Sequence, residues 1–109
     1  MELATLIYQI TEKFPSEEKF GLIAQLRRAA VSIASNIAEG AARQGKAEFR
    51  NFLSMAQGSS SELDTQLDLA LRLGYLGSEK YNEVSSIVIR VDKMLTALIR
   101  SISRPKIGS

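Results

Sequence analysis

The sequence predicts an all-α fold, an antiparallel up-and-down four-helix bundle in one domain over residues 1–109. Three observations lead there. Apolar residues recur three or four apart through four separate segments, the helical period. Pro15, the stretch Gly40–Gly45 and Gly74 punctuate those segments. Three of the segments are long and of similar length, which suits antiparallel packing through short turns.

The first helix is expected over 2–13, where Leu3, Leu6, Ile7 and Ile10 share a face. Phe14-Pro15 ends it, because the residue before Pro is disfavoured in the α region. Ser16 offers an N-cap hydroxyl, with Glu17 and Glu18 placed where the helix dipole favours negative charge. A second helix is therefore expected over 16–42, its core stripe being Leu22, Leu26, Ala29, Ile33 and Ile37. Gly40 and Arg43-Gln44-Gly45 supply the breakers for the next turn. The third helix is expected over 46–73, with Phe49, Leu53, Ala56, Ser60, Leu63, Leu67 and Leu71 inward. Gly58-Ser59-Ser60-Ser61 is poor in helix propensity, yet the apolar register continues in phase across it, which favours an unbroken helix. Gly74 stands where a left-handed C-terminal residue belongs. Ser78 is the expected cap of a fourth helix over 78–102, with Val84, Ile87, Val91, Leu95, Leu98 and Ile102 inward.

Composition narrows the function. Without Cys or His, the chain has no disulfide, no thiolate nucleophile, no ordinary zinc site and no imidazole base. No P-loop or dinucleotide glycine signature occurs. Glu62, Asp64 and Asp68 form an acidic patch, for which a solvated face is a better reading than a metal site. No enzyme activity and no cofactor are expected. No apolar run reaches membrane-spanning length and no signal-peptide pattern opens the chain, so a cytoplasmic location without membrane contact is expected. Positive charge is concentrated at one end: from Arg90 onward five cations stand against Asp92 alone.

One polar row runs beside the core stripe of the second helix: Gln25, Arg28, Ser32, Asn36 and Glu39. This block, Gln25 to Gly40, is preceded by Phe14-Pro15-x-x-Glu18-x-Phe20-Gly21-Leu22. It is followed by Arg43, Phe49, Phe52-Leu53, Ala56-x-Gly58-Ser59 and Glu62-Leu63-x-Thr65-Gln66-Leu67. Together these motifs resemble the bacterial four-helix bundle proteins encoded in intervening sequences of 23S ribosomal RNA genes. The resemblance runs from about Tyr8 to Tyr75. It implies a short up-and-down bundle, assembly into a ring-shaped homo-oligomer with a pentamer favoured, and a role in binding nucleic acid. A more distant similarity links that family to accessory proteins of diversity-generating retroelements, which work with a reverse transcriptase and RNA. The first helix of the family usually begins further upstream of the Glu-Leu that stands here as Glu2-Leu3. A shortened first helix would leave one end of the core with less cover.

Two groups of cations are candidate phosphate contacts. Arg90, Lys93, Arg100 and Arg104 share an arc of the fourth helix opposite its core stripe, and read either as a solvated face or as a stripe that neutralises phosphates. Arg43, Lys46 and Arg50 cluster at the turn into the third helix. There they either contact a phosphate together with free helix N–H groups or pair with Glu39 and Glu48. No aromatic residue is interleaved to stack bases, so charge and shape should be read more than base sequence. For Arg28, Asn36 and Glu39, a hydrogen-bonded network between helices is favoured over a ligand site. Second apolar faces on the second helix (Phe20, Ala24, Val31, Ala34, Ala38) and the third (Met55, Leu69, Leu73) point to subunit contacts. The preferred function is a ring scaffold that binds RNA or DNA. The alternative is an adaptor that docks a protein partner such as a reverse transcriptase.

Overall fold

The computed structural model describes residues 2–103. Its elements in chain order are α1 (Glu2–Thr11), a single 3-10 turn (Ser16–Glu18), α2 (Leu22–Ala41), α3 (Lys46–Arg72) and α4 (Ser78–Ser103). The described residues contain helices and turns and no strand. Successive helices run antiparallel, with the most extensive contact between α2 and α3 and the thinnest between α1 and α4.

The path from α1 to α2 departs from expectation, and Glu18 explains why. Helix α2 starts at Leu22, not at Ser16, because Gly21 takes a non-helical conformation (φ −104°, ψ −110°). Ser16 makes no side-chain cap: Pro15 precedes the 3-10 turn and no side chain closes it. The capping oxygen comes instead from Glu18, whose Oε1 accepts the Leu22 N–H at 3.2 Å. A Cβ on Gly21 would lie 2.9 Å from that oxygen, so the residue is small because the carboxylate passes over it. The other oxygen, Oε2, accepts the Tyr75 hydroxyl at 3.1 Å, and the Phe14 and Tyr75 rings pack 5.6 Å apart. One acidic side chain thus caps α2 and ties its start to the turn between α3 and α4.

The bond to Glu18 raises the Tyr75 pKa above 10.0, with desolvation and the neighbouring carboxylate charges adding to the same effect. Because the folded state favours the neutral phenol, this contribution to stability is present below the unfolded tyrosine pKa and is lost as pH rises through the folded one. Ultraviolet titration should show a delayed tyrosine ionisation that belongs to Tyr75. Glu18→Ala should remove the largest part of the delay; an undiminished delay would mean the assigned cause is wrong.

The α3–α4 turn closes as expected at Gly74, the one positive-φ residue among those described (φ 79°). Its N–H donates to Leu71 O at 3.1 Å while that of Tyr75 reaches back to Ala70 O at 3.0 Å, the paired bonds of a Schellman closure. Ser78 is the first residue of α4, so Gly77 rather than Ser78 holds the capping position; its carbonyl accepts Tyr81 N–H at 2.9 Å. Gly40 also differs from its expected role. It is buried inside α2, where a Cβ would stand 2.7 Å from Phe52 Cβ and 3.0 Å from Phe49 Cδ1. It is an approach point for α3, and the chain leaves the helix only after Ala41. Helix α3 runs unbroken through Gly58-Ser59-Ser60-Ser61, with Ser60 buried.

Leu3, Ile7, Leu26, Ile33, Leu53, Leu63, Leu67, Val84 and Leu95 form the fully buried core. Ile37, Leu98 and Ile102, all expected inside, are only partly covered. The cause is geometric. Helix α1 has 10 residues and spans about 15 Å at 1.5 Å per residue, against 20 to 27 residues in the others. It covers the first half of α2, where Arg27 Nε donates to Thr11 Oγ1 at 2.9 Å, and leaves the second half a three-helix layer. The described chain is elongated, 56 × 23 × 18 Å.

Candidate nucleic-acid interface

Of the α4 cations, Arg90, Lys93 and Arg100 are exposed, and none forms an ion pair with a described residue. Arg104 lies outside the described residues. The arc is wider than its spacing suggests. Arg90 leans toward α1 and lines a shallow cavity of about 240 Å³ with Glu2, Leu3 and Met94. Lys93 faces the opposite flank, lining a cavity of about 390 Å³ between α3 and α4 with Asp64, Asp92 and Tyr81.

At the turn into α3, Arg43 is engaged locally. Its guanidinium bonds Glu39 Oε1 at 2.7 Å and stands over the Phe52 ring 5.2 Å from the centroid. This is the pairing with Glu39 weighed in the sequence, and it draws Arg43 toward the α2–α3 side. Lys46 and Arg50 are exposed and form no ion pair with a described residue. Lys46 opens α3 and Arg50 follows one turn later, after Gly45, which caps the helix without a side-chain bond.

The register between α3 and α4 joins the two groups. Gln57 Nε2 donates to Thr96 Oγ1 at 2.7 Å, so these residues stand level on antiparallel helices. Arg50 lies seven residues before Gln57, two turns along the same flank of α3. Lys93 and Arg100 lie three before and four after Thr96 on α4, so they too project from that side. Lys46, Arg50, Lys93 and Arg100 therefore share the outer α3–α4 face; Lys46, Arg50 and Arg100 lie toward the end where α1 no longer reaches, and Lys93 stands nearer the middle beside Asp64 and Asp92. Arg90 and Arg43 stand to either side of it. This grouping was missed in the sequence, although counting back from the Gly74 turn along both helices would have found it. Toward the middle of the bundle the same face turns acidic at Asp64 and Asp92.

The polar row on α2 is a structural network. Ser32 and Ser59 hydroxyls meet at 2.9 Å, and Asn36 Nδ2 donates to Ser32 O at 2.9 Å and to its Oγ at 3.1 Å. Gln66 Nε2 spans Gln25 Oε1 at 3.3 Å and Glu62 Oε1 at 3.2 Å. The Ser32–Ser59 and Gln66–Gln25 bonds join α2 to α3, whereas Asn36 bonds only within α2 and reaches no other helix among the described residues. Arg28 alone in the row has no hydrogen bond or ion pair with a described residue. Gln66 was not expected inside, and its Oε1 is buried without a partner. No group of His, Cys, Asp and Glu among the described residues has the arrangement of a metal site. No described helix is long and apolar enough to cross a membrane.

The geometry has counterparts among known proteins. The family model described as 23S rRNA-intervening sequence protein matches residues 1–97. A solved structure from Bacteroides thetaiotaomicron VPI-5482, described as a protein with unknown function from the S23 ribosomal protein family, superposes with a TM-score of 0.81 at 29% identity. The match covers 91% of this chain and 93% of that one. No curated protein matches the chain. Neither the family nor that structure is described with a catalytic activity. With the family model covering most of the sequence and the same helical fold in a solved relative, the chain belongs to the 23S rRNA-intervening sequence protein family.

Proposed function

We propose that this protein is a non-catalytic cytoplasmic scaffold that assembles into a ring, five copies being favoured, and holds RNA or DNA by its phosphates. The observation that carries this reading is the meeting of Lys46, Arg50, Lys93 and Arg100 on one outer face, none of them in an ion pair with a described residue. Cations free of carboxylate partners can neutralise phosphates and release their condensed counterions. A ring repeats the face around its axis, so a modest patch on one copy becomes an extended one. Asp64 and Asp92, which share a cavity with Lys93, bound the contact on that side, so it is strongest toward the end of the bundle nearer Arg100.

Replacing Lys93 and Arg100 together by Ala should weaken binding to RNA and DNA alike, and similarly across unrelated sequences. The slope of log K against log salt should fall by about one unit per lost phosphate contact. Both side chains are exposed, so the fold should survive, which circular dichroism can check. Equal affinity of parent and variant at every salt concentration would remove these residues from the interface.

A further inference from the structure

Phe20 is 90% exposed, a large aromatic side chain held in solvent immediately before α2, with Lys19 Nζ 5.6 Å from its ring centroid. The turn beneath it is fixed by Glu18, so this exposure is built into the fold. An aromatic ring loses about 150–250 Å² of contact area when it stays out of a core. Beyond Phe20 a row of small and apolar residues runs up the outer face of α2 through Ala24, Val31 and Ala38, spaced seven apart. Val31 is 42% exposed.

Elsewhere on the chain the thin contact between α1 and α4 leaves a furrow. At one end it opens into a cavity of about 460 Å³ floored by Leu6, Ile10 and Leu76. Sites that enclose small ligands measure about 300–1,000 Å³, so one benzyl group fits with room to spare. The furrow continues past Ile87 to Val91 and Met94.

We propose that the outer face of α2, led by Phe20, docks into the α1–α4 furrow of a second copy of this chain, with the Phe20 ring in the Leu6–Ile10–Leu76 cavity. Height decides the geometry. The Glu18–Tyr75 bond sets the start of α2 level with the α3–α4 turn, and Tyr75 and Leu76 line the cavity. Knob and cavity therefore stand at the same end of the bundle but on different sides, and α2 and α4 both run away from that end. A head-to-tail contact with little rise along the axis closes into a ring, whereas one with a rise grows into a filament. Charge agrees with this placement chiefly further along the contact. At the cavity rim Glu17 beside the knob would meet Lys13, with Glu12 also there and Lys80 already paired with Glu83 at 2.9 Å. Two turns further along, Arg28 would meet Glu2, which lines the furrow and, like Arg28, forms no ion pair with a described residue.

This contact rests on the self-assembly proposed above and specifies its surface. The test uses light scattering on the full chain and two exposed-site variants: Phe20→Ser, which removes the knob, and Gln9→Trp, which covers the cavity from α1. Each alone should fall from the parent oligomer to monomer mass while keeping its helical spectrum. Mixed in equal amounts they should give dimers and nothing larger, because one intact knob meets one intact cavity and the chain of contacts then stops. A monomeric parent would overturn both the assembly and this contact. An oligomeric parent whose mass is unchanged in Phe20→Ser would overturn the contact alone.

Discussion

Ile33→Ala should lower the free energy of unfolding by about 2–5 kcal/mol, the range for truncating a fully buried aliphatic side chain in a packed core. Ile33 has no solvent exposure and sits just past the midpoint of α2. Deleting its outer carbons removes their transfer free energy and leaves a void that neighbours on three helices can fill only in part. Val31, two residues away and 42% exposed, is the internal control: its Ala variant should cost well under 1 kcal/mol in the monomer. Thermal or urea unfolding at one fixed protein concentration measures both, since assembly would shift the midpoints by mass action. A loss below about 0.5 kcal/mol for Ile33→Ala would mean that α2 presents another face to the core.

Gly40→Leu should be the other severe change, with a net loss of about 2 kcal/mol. A Cβ already collides with Phe52 Cβ at 2.7 Å, so a larger side chain must push α3 away or drive the Phe49 and Phe52 rings from their positions. Overpacking of this kind costs about 1–3 kcal/mol and occasionally more. Better helix propensity returns somewhat less than 1 kcal/mol of that. Gly40→Ala already brings the 2.7 Å contact with Phe52 Cβ, so it too should lose stability, though less than Gly40→Leu because nothing extends beyond the Cβ. The pair can be compared by urea midpoint. If Gly40→Leu proved as stable as the parent, the close approach of α2 and α3 would be disproved. Arg43 would be affected with it, since its guanidinium lies over the Phe52 ring.

The helices were legible because the apolar period is strong and lies on long segments. The faces of α2 and α3 follow from it: Leu26, Ala29, Ile33, Leu53, Leu63 and Leu67 are all buried. Where the reading missed, a contact distant in sequence had overridden a local signal. Ser16 has the chemistry of a cap, but Glu18 does the capping because Tyr75 holds its carboxylate, 57 residues away in the chain. Gly40 looks like a breaker, and only the position of Phe52 shows that it is a gap for packing. Gln66 has a surface composition, yet it bridges α2 and α3 through Gln25. The two basic groups were visible separately. Their union depends on the register of Gln57 against Thr96, a property of the helix pair and not of either helix. The furrow was invisible for the same reason: it exists because α1 and α4 barely touch.

The proposed hold of the α3–α4 face on nucleic acid is one of charge, without regard to base sequence. A binding titration with two unrelated single-stranded RNAs and a DNA duplex, repeated across a series of salt concentrations with the oligomer mass monitored at each, tests it. The two RNAs should bind with similar affinity, and log K should fall linearly with log salt. The slope should correspond to several phosphates per assembly, about −0.7 per contact on single strands and −0.9 on duplex. Absence of binding at low salt, or affinity that stays constant as salt rises, would contradict it.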